Sequence, residues 1–137
     1  MNSLPITVLL ADEHKMYREA LALTLSQDPR IQVIGQCGNG LEAEKLFSTL
    51  KPDIALIDIT VHAARGFTTA AHIIAIYPEA RIIGLSTFFT HAYALRIVAS
   101  GGKGYLTKSM SYVHILEAIR RVAEGETYLC SELQQQD

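Results

Sequence analysis

Residues 53–58 read Asp53-Ile54-Ala55-Leu56-Ile57-Asp58, an unbroken apolar run closed at each end by an aspartate. A strand with one wet face alternates apolar and polar side chains. A run without alternation suits a strand covered on both faces, as in a parallel sheet. The same kind of run recurs on both sides of it, at Ile6–Ala11 and Arg81–Ser86, with shorter or more alternating versions at Ile31–Cys37 and Gly104–Thr107. Ile31–Cys37 alternates most and reads as an edge.

Helical patterns fill the intervals. In His14–Asp28, Tyr17, Ala20, Leu21, Thr24 and Leu25 share one face, and Asp28-Pro29 ends the pattern because a residue before proline is pushed out of the α region. Leu41–Leu50 follows the turn formers Gly38-Asn39-Gly40. Phe67–Tyr77 stops before Pro78, and Thr90–Ser100 stops at Gly101-Gly102. Ser111–Glu124 carries Ile115, Leu116, Ile119 and Val122 on one stripe, with Gly125 placed to terminate it. Strand and helix thus alternate five times, which predicts an α/β fold: a doubly wound, five-stranded parallel sheet with helices on both faces. The expected strand order is the flavodoxin-like 2-1-3-4-5, which puts ligands beyond the carboxyl ends of strands 1 and 3. The expected domain is 1–124, with 125–137 as the start of a linker.

Composition narrows the function. Of 137 residues, 49% are hydrophobic and 19% charged, with a formal net charge of −2. That is a globular chain without the basic surface of a nucleic-acid or membrane binder. Cys37 and Cys130 fit no metal-binding spacing and suit a reducing compartment. Met1–Leu10 lacks a basic n-region, and no apolar run is long enough to span a bilayer, so a cytoplasmic location is expected.

The carboxyl ends of the strands carry the chemistry. Strand 1 ends in Asp12-Glu13, strand 3 in Asp58, strand 4 in Ser86-Thr87 and strand 5 in Thr107-Lys108. In the order 2-1-3-4-5 these meet in one crevice. Three carboxylates there repel unless a cation neutralises them, and Mg²⁺ is the economical choice because it takes few carboxylates and leaves positions for phosphate oxygens. A carboxylate, a Mg²⁺ site, a hydroxyl and a lysine around one cavity describe phosphoryl transfer onto Asp58, with Lys108 offsetting the spreading charge and Ser86 donating to the phosphoryl group. Thr87 competes with Ser86 for that place. The five histidines, His14, His62, His72, His91 and His114, match neither H-E-x-x-H nor a zinc finger.

Along nearly its whole length the chain resembles the receiver domain of two-component response regulators. Asp12-Glu13 is similar to the family's acidic pair, Asp58 to its phospho-acceptor, Ser86 to its Ser/Thr, Lys108 to its lysine, and Tyr105 to the aromatic whose rotamer reports phosphorylation. Gly125-Glu126-Thr127-Tyr128-Leu129 resembles the LuxR-type (NarL/FixJ) subfamily. The resemblance implies a signalling module rather than an enzyme, holding Mg²⁺ through Asp12, Glu13, Asp58 and the backbone of Thr60. It implies phosphorylation by a sensor histidine kinase, homodimerisation on phosphorylation, and DNA contact only through a C-terminal helix-turn-helix domain outside this sequence; Tyr105 reads equally as a switch that turns inward from solvent and as half-buried packing. Three positions depart from the family's usual pattern. Glu13 replaces the second aspartate, which is expected to weaken the hold on Mg²⁺; Val61-His62 replaces Met-Pro; and Arg65 stands where Asp or Asn precedes the glycine. The alternative is a degenerate receiver acting as a phosphorylation-independent interaction module. A cobalamin module lacks its glycine at Tyr17, and a D-x-D phosphatase is excluded by Ile59-Thr60 after Asp58.

Overall fold

A computed structural model describes residues 4–59 and 65–130. Six strands are ordered β2-β1-β3-β4-β5-β6, and every pair is parallel. They are β1 Ile6–Ala11, β2 Ile31–Cys37, β3 Ile54–Asp58, β4 Ile82–Ser86, β5 Gly104–Thr107 and β6 Tyr128–Leu129. The helices are α1 Lys15–Ser26, α2 Gly40–Leu50, α3 Arg65–Ile76, α4 His91–Ala99 and α5 Tyr112–Ala123. The alternation expected from the apolar runs is therefore present in the expected order, with one short strand added at the edge. Helix α1 packs beside α5 and α2 beside α3. Right-handed crossovers place these two pairs on opposite faces of the sheet.

Burial follows the sequence pattern. All five residues of β3 and of β4 are buried, whereas β2, at the border, buries only its first and last residues fully. Leu9, Leu10, Ile54, Leu56, Ile82, Ile83 and Leu85 form the central layer. Each large aliphatic side chain withdrawn from water contributes about 1.5–3 kcal/mol, so this layer supplies much of the driving force for folding. The helix starts are written locally. The Asn39 side chain accepts from Glu42 N at 2.9 Å and donates to Glu42 Oε1 at 3.1 Å, and Thr90 accepts from Tyr93 N at 3.0 Å.

The sixth strand lies in the stretch expected to be linker. After α5, Gly125 adopts φ 100°, Gly125 N bonds Val122 O at 3.0 Å and Glu126 N bonds Arg121 O at 3.0 Å. This paired closure, with glycine in the left-handed region, is a Schellman turn, and it sends the chain back along β5. Tyr128 N then bonds Lys103 O at 3.0 Å and Cys130 N bonds Tyr105 O at 2.9 Å. Tyr128 and Cys130 are buried, so the folded unit runs through Cys130 instead of ending at Glu124, and Cys130 belongs to the core.

Helix α3 begins at Arg65, two residues earlier than expected, and closer to the sheet than any side chain there would allow. A Cβ on Gly66 would overlap the carbonyl oxygen of Asp58 and lie 2.5 Å from Ile59 Cα. Only glycine permits this approach. Gly66→Ala must therefore push α3 off the end of β3. The expected loss is about 1–3 kcal/mol, read as a melting midpoint lower by at least roughly 4 °C in a thermal denaturation. An unchanged midpoint would show that α3 moves freely against β3.

Candidate functional site

Two carboxylates stand at the ends of adjacent central strands. The register Ala11↔Ile57 between β1 and β3 brings Asp12 and Asp58 side by side just beyond it. Each residue is only 4% exposed. The β1–α1 loop is held in shape by Asp12 N bonding Cys37 O at 2.9 Å and by Arg18 Nη1 donating to Asp12 O at 2.7 Å. His14 N donates back to Asp12 Oδ1 at 2.9 Å, an Asx turn that reverses the chain before α1.

Lys108 reaches this pair from the end of β5. Its backbone N bonds Ser86 O at 2.9 Å, and its Nζ lies 2.6 Å from Asp12 Oδ2 and 2.7 Å from Asp58 Oδ2. The same ammonium is 2.9 Å from His14 Nδ1 and 4.8 Å from the centre of the Tyr17 ring. The two buried carboxylates thus share one ammonium. Tyr17 registers their field: burial first, then the charges of Asp12 and Asp58, push its hydroxyl up to about 12.

The remaining site residues divide into those brought in and those left at the margin. Glu13 is exposed and lines, with Asp12, Asp58, Arg65, Thr69 and the Gly38-Asn39-Gly40 turn, a cleft of about 130 Å³. It is not among the groups that converge within 4.8 Å, which are Asp12, His14 and Asp58. Thr60, Val61 and His62 lie outside the described residues. Ser86 is fully buried and Thr87 exposed, which distinguishes the two neighbouring hydroxyls.

Tyr105 is not turned to solvent. It is fully buried, 5.9 Å from the Phe89 ring, and its hydroxyl lies 2.7 Å from Ser86 Oγ. Ser86 Oγ is also 2.6 Å from Phe88 O, Tyr105 Oη is 3.1 Å from Phe88 O, and Thr90 N donates to Tyr105 Oη at 3.1 Å. Each hydroxyl has one proton. If Ser86 gives its proton to Phe88 O, Tyr105 donates to Ser86; if Tyr105 donates to Phe88 O, Ser86 donates to Tyr105. Either way the Ser86 proton is used within this triangle, and the inward position of Tyr105 is fully supplied with partners.

His14 is the residue that the histidine spacings did not single out. Its signal was its position, immediately after the acidic pair at the end of a strand, and the Asx turn is what folds its ring back over Asp12 and Asp58.

The profile described as response regulator receiver domain matches residues 8–120. LiaR, a transcriptional regulatory protein of Bacillus subtilis (strain 168), is 33% identical over 128 residues, covering 93% of this chain and 61% of the relative. DegU, a transcriptional regulatory protein of Brevibacillus brevis, is 28% identical over 129 residues, covering 94% and 55%. A two-component response regulator of the LuxR family from Aurantimonas sp. SI85-9A1 superposes with a TM-score of 0.89 at 26% identity, over 96% of this chain and 94% of that one. The chain thus spans little more than half the length of the curated relatives it matches. Those relatives are regulators rather than classical enzymes, and among the described residues no helix is long and apolar enough to cross a membrane. With acid pair, central aspartate, hydroxyl and lysine carried on a flavodoxin-like sheet, and a family match across most of its length, the chain belongs to the response regulator receiver domains, of the NarL/LuxR type.

Proposed function

We propose that Asp58 accepts a phosphoryl group from a sensor histidine kinase and that the change at Asp58 controls a transcription-regulating output. The observation that carries this reading is the position of Lys108: its ammonium bridges Asp12 and Asp58 at 2.6 and 2.7 Å in a buried pocket. An oxygen of Asp58 forms the new bond to phosphorus as the bond from phosphorus to the kinase histidine nitrogen breaks, and the electron pair leaves with that nitrogen. Lys108, already in contact with Asp58, offsets charge on the transferring group. The donor set suits Mg²⁺: Asp12 and Asp58 present buried carboxylate oxygens toward one point, Glu13 lines the adjoining cleft, and the Thr60 backbone is assigned as a further ligand by family pattern. When bound, Mg²⁺ neutralises the negative charge between the carboxylates and the phosphoryl oxygens. The degenerate reading lacks comparable support, since acceptor, lysine and buried hydroxyl are all present.

Ser86 links the acceptor to the output. To donate to a phosphoryl oxygen it must withdraw its proton from the Phe88–Tyr105 triangle, so phosphorylation acts on Tyr105 through one shared hydrogen bond. The population of Tyr105 arrangements then shifts by the difference in interaction between them. The surface that changes is built by α4, β5 and α5, and it governs homodimerisation. By analogy with its relatives, DNA is contacted only by a C-terminal helix-turn-helix domain, reached through the residues after Cys130, in a cytoplasmic protein.

Two measurements check this. Acetyl phosphate with Mg²⁺ is expected to add one phosphate by intact mass, and the adduct is expected to vanish in Asp58→Asn or with chelator; labelling that persists in either overturns the assignment. Lys108→Met leaves two buried carboxylates without their cation, a loss of about 3–5 kcal/mol. Its melting midpoint without divalent ions is expected to fall by roughly 8 °C or more, with millimolar MgCl₂ restoring more of it than the same salt adds to the wild type. Equal midpoints in chelator would show that the ammonium is not what holds the pair together.

A further inference from the structure

We infer that His14 is a ligand of the divalent cation in this pocket, and that its ring nitrogen tilts the site toward first-row transition ions over Mg²⁺. The inference rests on the proposed role of Asp12 and Asp58 as cation ligands. His14 Nδ1 lies 3.1 Å from Asp12 Oδ1 and 3.6 Å from Asp58 Oδ2. Neighbouring donors on an octahedral ion with bonds of about 2.0–2.1 Å are about 3 Å apart, so these separations already approach those of one coordination sphere.

A second observation is independent of that spacing. The three groups already hold a cation, the Lys108 ammonium, at 2.6, 2.7 and 2.9 Å. An ammonium only donates, so its 2.9 Å contact is met by the His14 tautomer in which Nδ1 is the acceptor. In that tautomer Nδ1 and Asp12 Oδ1, 3.1 Å apart, are two acceptors sharing one positive charge. A lone pair facing into a buried acidic pocket is the form in which imidazole binds metal. The His14 N bond to Asp12 Oδ1, 2.9 Å, fixes where the residue stands. A divalent ion carries one positive charge more than the ammonium whose place it would take or share.

The selectivity follows from donor type. Carboxylate and water donors suit Mg²⁺, while imidazole favours ions such as Co²⁺ and Zn²⁺, whose affinity for nitrogen donors is greater. An exposed residue, with 56% of its side chain accessible, is also one the fold can lose.

The test is calorimetric titration of the 137-residue chain with MgCl₂ and separately with CoCl₂, with visible absorption of the cobalt complex recorded. Wild type, His14→Ala and Asp58→Asn are compared, each checked for an unchanged circular-dichroism spectrum. The expected result is tighter binding of Co²⁺ than Mg²⁺ by wild type. His14→Ala should weaken Co²⁺ at least about tenfold and shift its absorption bands, while Mg²⁺ affinity changes less than about threefold. A Co²⁺ loss no larger than the Mg²⁺ loss, or an unshifted cobalt spectrum, overturns the role of His14 and leaves the cation site standing. Binding of neither ion by wild type, or binding that Asp58→Asn does not reduce, overturns the cation site and His14 with it.

Discussion

One ammonium between two buried carboxylates is the constraint on which the site depends. Asp12 and Asp58 are each 4% exposed and stand on adjacent strands, a placement that charge repulsion opposes. Lys108 answers it from a third strand, two places further across the sheet. The pair and its cation therefore fasten the carboxyl ends of β1, β3 and β5 together, and any ligand that enters must exchange places with, or share, that positive charge. A buried ion pair is a poor source of stability, because desolvation offsets most of the attraction. Its retention at a sheet end is better understood through what it allows: a central carboxylate held in place with a cation beside it.

Packing supplies the rest of the arrangement. Parallel strands buried on both faces require helices above and below, and the loops that join them gather at one end of the sheet. Gly66 lets the start of α3 lie against the Asp58 carbonyl, so Asp58 is enclosed by backbone as well as by side chains. On the other side of β3, Ser86 and Tyr105 pair through their hydroxyls, and Tyr105 accepts from Thr90 N at the start of α4. One hydroxyl pair thus joins the end of β4 to the cap of the surface helix.

How much of this could be read from residues alone depended on how local the cause was. Apolar runs are local, so the strands, their order and the border position of β2 were legible, as was the meeting of Asp12, Asp58 and Lys108 at strand ends. The helix ends at Asn39 and Gly125 were legible for the same reason. Tyr105 was left between a switch and simple packing because its inward position is a rotamer fixed by Ser86, Phe88 O and Thr90 N, groups from another strand and loop. His14 was set aside with the other histidines because a turn, and not a spacing motif, carries its ring over the carboxylates. β6 escaped because two residues make no periodic signal, and their pairing needs the reversal at Gly125.

That last strand has a mechanical side. Cys130 N is bonded to the carbonyl of Tyr105 itself, and its side chain is buried in the core beside β5. A tension applied to the chain beyond Cys130 is borne at this junction, by that bond and by the burial of Cys130 together. Load on the tail and the setting of Tyr105 are thus in series. Whatever is tethered there pulls directly on the strand that carries the tyrosine, with no other element of the sheet between them.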